Sequence, residues 1–176
     1  MRYRERMYTK RCRYLRELRG HIRRKGAENL VYLDESGFDP AQNYRDSGWA
    51  PRGQKIYGNR SGKHWQRTSL LMAKRGKKWL SPCLFNGTCN TDFFNAWLEK
   101  GLMKELPPNQ TIIMDNAAIH KGEKTREIIE KHGHELLFLP PYSPDFNPIE
   151  KVFGMLKRAL KFAEEGATLD DLIHAD

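Results

Sequence analysis

The stretch LPPYSPDFNPIEKVFGMLKRAL, residues 139–160, joins a proline-rich segment to a helix and marks where the last long element of the fold begins. Asn147 is a favoured N-cap residue, Pro148 suits the first helical position, and Glu150 stands three residues after the cap. This spacing predicts a capping box, in which the Glu150 carboxylate accepts a hydrogen bond from the backbone N–H of Asn147. Apolar residues then recur at helical spacing: Ile149, Val152, Phe153, Leu156 and Leu160. Glu150 is therefore either a helix cap alone or also one arm of an active site.

The chain before this stretch contains five short apolar runs that are typical of strands. They are residues 29–33, 66–73, 79–85, 111–114 and 135–139. A helix capped by Thr91 or Asp92 follows the third run, and a helix containing Ile128 and Ile129 separates the last two. Residues 44–67 have the aromatic, cationic and glycine pattern of hairpins with a loop. Short connections favour antiparallel pairing and helical connections favour parallel crossovers, so we predict an α/β fold with three antiparallel strands followed by parallel strands.

Positive charge is concentrated at the N-terminus. The chain of 176 residues has a net charge of +9, and residues 1–29 hold eleven Lys and Arg against three Glu. The rest is nearly neutral, with twenty basic against nineteen acidic residues. We predict a basic helical arm over residues 1–28, one globular domain over 29–165, and a C-terminal helix, cut short, over 166–176.

Two interpretations of the basic arm are open. It can bind nucleic acid in a salt-sensitive way, with Arg11, Arg23 and Arg24 as candidate contacts. Alternatively, it is a solvated helix docked through a narrow apolar stripe, formed by Tyr14, Leu15, Leu18 and Ile22.

Several classes of protein are excluded by composition. No apolar run approaches the ~20 residues that a membrane span needs, and the basic N-terminus lacks the apolar stretch of a signal peptide. Cys12, Cys83 and Cys89 form no CxxC pair, which indicates neither a disulfide framework nor a zinc site. We therefore expect an intracellular protein with three free thiols.

Acidic residues follow two of the predicted strands. Asp34 comes after LVYL and Asp115 after TIIM, and each also suits a turn or a helix cap. If both strands are central and parallel, both carboxylates lie at the same edge of the sheet, and Glu150 is placed to join them. Oxygen ligands of this kind suit Mg²⁺, and two such ions ~3.5–4 Å apart can act on a phosphoryl transfer.

The motifs around these residues resemble one enzyme family. LDES at 33–36, MDNAAIHK at 114–121 and LPPYSPDFNPIE at 139–150, with GWAPRG at 48–53, are similar to the catalytic domain of mariner-like DDE transposases. The likeness covers about residues 28–162 and is nearest to the bacterial insertion-sequence branch; thirty-four residues separate Asp115 from Glu150, as is usual in that superfamily. The resemblance implies a ribonuclease H-like fold. It also implies that Asp34, Asp115 and Glu150 form a catalytic triad for two Mg²⁺ or Mn²⁺ ions.

The same resemblance implies roles for neighbouring residues. Asn116 and His120 match the family's DNAxxH stretch as supporting residues, although a histidine there is as often a packing residue. Arg52 and Lys55 are candidate DNA contacts in the segment 44–67. We expect the tryptophans of that segment, Trp49 and Trp65, to pack within hairpins. Asp145 is left out of the triad because the turn around it accounts for its presence.

The implied function is a DNA transposase catalytic domain, which cleaves DNA at element ends and joins the freed 3′-OH to target DNA. Full-length members carry a helix-turn-helix region, for which about 29 residues are too few, so we expect that region to be separately encoded or missing. The resemblance also implies a homodimer on DNA, no membrane partner, and a cytoplasmic, nucleoid-associated location. Two alternatives remain: a nuclease of the same fold that only hydrolyses DNA, and a DNA-binding relic without catalysis.

Overall fold

The computed structural model describes residues 7–39, 48–55, 57, 67–163 and 166–174, which contain one mixed sheet. Its strands are β1 (Leu30–Phe38), β2 (Thr68–Arg75), β3 (Lys78–Asn86), β4 (Thr111–Met114) and β5 (Glu135–Phe138). Their spatial order is β3-β2-β1-β4-β5. β2 pairs antiparallel with β1 and β3, while β4 pairs parallel with β1 and β5. The predicted order of three antiparallel strands followed by parallel strands is therefore confirmed.

Helices flank the sheet. They are α1 (Tyr8–Lys25), α2 (Thr91–Trp97), α3 (Met103–Glu105), α4 (Glu123–Lys131), α5 (Ile149–Phe162) and α6 (Leu169–Ile173). A π-helical turn at Leu98–Leu102 joins α2 to α3, and 3₁₀ turns lie at Ala27–Asn29, Ala118–His120 and Pro144–Phe146. Across the described ranges, no helix has both the length and the apolar character needed to cross a membrane.

The two faces of the sheet follow the alternation of side chains along β1. Val31 and Leu33 belong to the core under α2 and α4, which includes Phe94 and Ile129. Leu30 and Phe38 belong to the opposite face, which α1, α5 and α6 cover. Asp34 shares the parity of Leu30 and Phe38, because successive strand residues point to opposite faces. The Asp34 side chain is therefore on the α1 and α5 side of the sheet.

Helix α1 is docked on the sheet. Tyr14 is buried, and the apolar stripe Leu15, Leu18 and Ile22 packs with Leu30, Ile113, Leu137 and Leu139. The docked-helix interpretation of the basic arm is thus observed for residues 8–25. Its cationic residues lie around an anchored apolar stripe rather than on a detached segment.

Three local expectations are corrected. β1 does not end at Asp34 but continues to Phe38, because residues up to Phe38 pair with β2. The cap of α2 is Asn90, whose side chain accepts a hydrogen bond from the N–H of Phe93, rather than Thr91 or Asp92. Residues 48–55 form no strand, so the described part of the predicted hairpins is irregular.

Two further expectations concern individual side chains of that segment and the cysteines. Trp49 is fully exposed rather than packed in a hairpin, whereas Trp65 lies outside the described residues. Cys12, Cys83 and Cys89 are free thiols, as predicted.

Candidate active site

Asp34 and Asp115 lie side by side because of the register between β1 and β4. The two strands are parallel, and Tyr32 is paired with Ile113. Asp34 comes two residues after Tyr32 within β1, and Asp115 comes two residues after Ile113, directly past the end of β4, so the two carboxyls stand at about the same level at this edge of the sheet. Adjacent strands are about 4.8 Å apart, which brings the two side chains together.

Glu150 completes the group. Asp34, Asp115 and Glu150 line one cleft of about 680 Å³. Its wall is the proline-rich segment before α5, and Asn116 lies at its edge. The structure therefore brings the three predicted carboxylates together from β1, the end of β4 and the first turn of α5.

The predicted capping box at the start of α5 is absent. The helix begins at Ile149, after Pro148, and the Ile149 N–H donates a hydrogen bond to Asn147 Oδ1 at 3.4 Å, so Asn147 keeps a capping contact without the reciprocal bond from Glu150. The other end of the same amide faces the cleft, where its Nδ2 donates a hydrogen bond to Asp34 Oδ2 at 2.9 Å. The Glu150 N–H bonds to the Asn147 carbonyl at 3.2 Å, which fixes the backbone while the Glu150 side chain stays exposed.

Asn147 is therefore a residue of the cleft, although the sequence pattern indicated it only as a helix cap. Its side chain is almost fully buried, at 3% exposure, and it links the α5 entry to the β1 carboxylate. Cap residues and amide donors look identical in sequence, because Asn serves both roles. Only the proximity of Asp34, 113 positions away in the chain, shows that Asn147 is also an amide donor in the cleft.

Asp115 is held by the residues that follow it. Its Oδ1 accepts hydrogen bonds from the Ala117 N–H at 3.0 Å and from His120 Nδ1 at 2.6 Å. The His120 side chain is buried and packs against Phe94 with the two rings tilted by 45° and their centroids 4.4 Å apart. His120 thus both packs and supports the carboxylate, so the two roles left open for it are combined.

The surroundings shift the pKa values of the two aspartates in opposite directions. Burial, with the negative charges of Asp115 and Glu150, raises the pKa of Asp34 from 3.8 to about 7, although the Glu35 N–H opposes this shift. Burial also acts to raise the pKa of Asp115, but the His120 and Ala117 hydrogen bonds and the charge of Lys121 outweigh it and lower that pKa. The raised pKa of Asp34 therefore comes mainly from burial, and the neighbouring carboxylates Asp115 and Glu150 add to it.

The negative charges of these neighbouring carboxylates are what a divalent cation would neutralise. Within the ranges 7–39, 48–55, 57, 67–163 and 166–174, no three His, Cys, Asp or Glu side chains are already drawn together as a metal cage. Three carboxylates facing one cleft nevertheless form an all-oxygen donor set, which suits Mg²⁺ or Mn²⁺. The residues present therefore fit the implied metal.

Two more cleft residues were not singled out from the sequence. Lys121 lines the cleft beside Asp115 and contributes a positive charge. Tyr142 is 55% exposed at the cleft wall and has a φ of 52°, in the left-handed region that side chains other than glycine rarely adopt. Backbone strain of this kind clusters at functional sites. Neither position has a local sequence signal that distinguishes it from an ordinary loop residue.

The candidate DNA contacts separate into two groups. The Arg11 side chain is 9% exposed and forms an ion pair with Asp145 at 2.7 Å, so it is withdrawn as a DNA contact. Arg24 is exposed but paired with Glu135 at 3.0 Å. Arg23, Arg52 and Lys55 are exposed.

A basic surface on α1 was missed from the sequence. Arg16 and Arg19 line the same groove on α1 as Arg23, spaced at i, i+3 and i+7 along one helical face. No local sequence signal distinguishes this face, because arginines occur all around the helix.

The fold and site together define a class. A mixed sheet of this order, with carboxylates from β1, β4 and α5 in one cleft, is the ribonuclease H-like arrangement of metal-dependent phosphoryl-transfer enzymes. The model of the DDE superfamily of endonucleases matches residues 29–173, and the chain belongs to this family. No curated protein matches the chain.

Solved structures of the mariner transposase Mos1 have the same fold. The Mos1 paired-end complex with Mn is 21% identical with a TM-score of 0.79, over 100% of this chain and 57% of that one. The complex with Mg is 19% identical with a TM-score of 0.78, over 100% and 58%. The Mos1 catalytic domain is 18% identical with a TM-score of 0.70, over 100% and 86%. The chain spans little more than half the length of the Mos1 chains in the complexes, and the insertion-sequence branch stays a prediction.

Proposed function

We propose that this chain is the catalytic domain of a DNA transposase, which uses two divalent metal ions to cleave DNA and to transfer the 3′-OH end to target DNA. The observation that carries the proposal is the convergence of Asp34, Asp115 and Glu150 on one cleft in a member of the DDE family. The Mos1 structures with Mn and with Mg support the choice of metals.

Each residue of the site has a defined task in this proposal. Asp34, Asp115 and Glu150 would hold the cations. His120 Nδ1–H donates to Asp115, which is an acceptor because its lowered pKa keeps it ionised. Asn147 Nδ2 donates a hydrogen bond to Asp34 and so orients that carboxyl group. When bound, the ions supply charge stabilisation at the attacking and leaving oxygens of an in-line displacement at phosphorus.

The DNA approaches along cationic surfaces. Lys121 in the cleft is placed to contact a backbone phosphate close to the reacting group. Arg16, Arg19 and Arg23 on α1, with Arg52 and Lys55, extend the positive surface. Phosphate contacts of this kind position DNA without reading its sequence, so binding through them depends on salt.

The partners follow from the Mos1 complexes, whose printed descriptions name a paired-end complex, a left transposon end and a strand transfer complex. We expect this chain to act as a homodimer on DNA, with element ends and target as substrates. In a bacterial cell the protein would be associated with the nucleoid.

The family description specifies only an endonuclease, which keeps hydrolysis alone as a second candidate function. A strand-transfer assay separates the two. Duplexes with randomised end sequence and an exposed 3′-OH are incubated with plasmid target, Mn²⁺ and the protein, and joined products are sequenced.

We expect joined products with the wild type and none with Asp115→Asn. Nicked plasmid without joining would identify a nuclease. Neither product, together with no Mn²⁺ binding in the presence of DNA, would identify a non-catalytic relic and contradict the proposal.

A further inference from the structure

The turn Pro144–Phe146 before the catalytic helix is held by α1. Arg11 donates two hydrogen bonds to Asp145, from Nη1 to Oδ1 at 3.0 Å and from Nη2 to Oδ2 at 2.7 Å. Its guanidinium carbon lies 3.7 Å from the centroid of the Phe146 ring. Tyr14, one helical turn further along α1, stacks on the same ring with centroids 5.3 Å apart. Arg11 and Tyr14, on one face of α1, therefore contact two consecutive residues of the turn, Asp145 and Phe146.

The geometry makes this contact stronger than an ordinary surface ion pair. Isolated exposed pairs contribute little to stability. Here the guanidinium is buried while Asp145 is half-exposed, and the bond is bidentate. Bidentate pairing and stacking both use the planar fork of arginine, which lysine lacks. Loss of Asp145 or Phe146 would leave a buried charge without its partners.

The turn Pro144–Phe146 leads directly into the candidate metal site. Asn147 follows Phe146 and donates to Asp34, and Glu150 lies on the next turn of backbone. The turn is closed by two backbone hydrogen bonds, from Phe146 N–H to the Ser143 carbonyl and from Asn147 N–H to the Pro144 carbonyl, at 3.0 and 2.9 Å. A displacement of Phe146 would therefore move the amide that orients Asp34.

We propose that Arg11 is a positioning residue of the metal site, acting through the turn Pro144–Phe146 to hold Asn147 on Asp34 and Glu150 at the cleft. The metal part of this inference rests on the proposed function. Its consequence is that α1, which lies before the β1 strand in sequence, is part of the support of the active site. A merely structural role would confine the effect of Arg11 to the docking of α1.

Glu135 provides the matched control, because it anchors the opposite end of the same helix. Its carboxylate pairs with His21, Arg24 and Lys25 at 2.8, 3.0 and 3.0 Å. Glu135→Gln weakens the docking of α1 without removing a contact to the turn Pro144–Phe146. Arg11→Gln removes the contacts of the guanidinium with Asp145 and Phe146, and Arg11→Lys keeps the charge but not the bidentate, stacked geometry.

The first readout is hydrogen exchange of the metal-free protein. In Arg11→Gln we expect the amides of Phe146, Asn147 and Glu150 to exchange about tenfold faster, with β4 amides unchanged. Arg11→Lys should give a smaller acceleration at the same amides. It is the test variant if Arg11→Gln does not fold. Glu135→Gln should leave these three amides at the wild-type rate.

The second readout is Mn²⁺ affinity by calorimetry. We expect Arg11→Gln to bind about tenfold more weakly, the lower end of the cost of losing an outer-shell partner, and Glu135→Gln to bind like the wild type. Unchanged exchange at the three amides, or equal effects of Arg11→Gln and Glu135→Gln, would overturn the positioning role. Absence of Mn²⁺ binding in the wild type, with and without DNA, would instead overturn the proposed function, and the exchange data would then report on the turn alone.

Discussion

Asp34 and Asp115 are the same residue type at the same level of neighbouring strands, yet their surroundings differ. Asp115 receives two hydrogen bonds on one oxygen, from a buried histidine and a backbone N–H, and its pKa is lowered. Asp34 receives one from Asn147 and one from the Glu35 N–H, and its pKa is raised to about 7. The comparison teaches that partners and burial, rather than residue type, decide whether the pKa of a carboxyl is raised or lowered.

Removal of either carboxylate is the largest perturbation of this pair. We expect Asp34→Asn and Asp115→Asn each to lower the Mn²⁺-dependent DNA cleavage rate by about 10³-fold, because a bound divalent ion contributes about 4 kcal/mol or more to the transition state. Initial rates on plasmid DNA measure the effect. Retention of more than a tenth of wild-type activity by either variant would exclude that residue from the triad.

The difference in pKa predicts how metal affinity depends on pH. Below about pH 7 the Asp34 carboxyl is protonated and must release its proton to bind a cation, so affinity should fall about tenfold per pH unit. Between pH 7 and pH 5 the loss should reach about a hundredfold, whereas Asp115 stays ionised throughout. Calorimetry in buffers of different ionisation enthalpy counts the protons released. A flat profile from pH 5 to pH 8 would contradict the raised pKa of Asp34.

The supporting side chains should have smaller effects than the carboxylates. We expect His120→Gln and Asn147→Ala each to weaken Mn²⁺ binding by about tenfold, because each removes a hydrogen bond that orients a ligand. Titration of both variants at pH 8 compares them with Asp34 ionised. Glu130→Gln, at an exposed ion pair on α4 away from the cleft, is the control and should bind like the wild type.

The effect on thermal stability is the smallest difference expected between the two aspartates, but the two variants should change Tm in opposite directions. A carboxyl whose pKa is higher in the folded state binds its proton more tightly when folded, so its contribution to stability is lost as the pH rises from about 4 to 7. Asp34→Asn removes this loss and should raise Tm by about 2–4 °C at pH 8, corresponding to about 1 kcal/mol.

The opposite sign is expected for Asp115, whose pKa is lowered by its partners in the folded state. Asp115→Asn weakens those hydrogen bonds and should lower Tm at pH 8. Thermal melts of both variants without metal measure this. A fall in Tm for Asp34→Asn as large as that for Asp115→Asn would mean that the two sites are alike.

The parts of the structure that the sequence predicted depend on local signals. Apolar runs such as TIIM predicted β4, helical spacing after Ile149 predicted α5, and the three carboxylates followed from the motifs around them. The sequence left the parallel arrangement of the strands before Asp34 and Asp115 as a condition for a shared edge of the sheet, and the pairing of β1 with β4 meets that condition.

The parts that could not be predicted depend on contacts between distant residues. ESGF after Asp34 resembles a turn, but pairing with β2 supplies partners for its backbone and extends the strand. Asn147 resembles a helix cap and does accept a hydrogen bond from the Ile149 N–H, but its Nδ2 also donates to Asp34. Arg11 resembles a DNA contact, but Asp145, 134 positions away, takes its guanidinium. A single sequence carries no signal for such pairs.

The most direct test of the account is Mn²⁺ binding by calorimetry at pH 8, on the wild type and on Asp115→Asn, with and without a short DNA duplex. The account predicts binding by the wild type and a loss of affinity of at least about a hundredfold in the variant, because a primary carboxylate ligand is removed. Equal binding by both proteins, or none by the wild type even with DNA present, would contradict the claim that Asp34, Asp115 and Glu150 form a metal site.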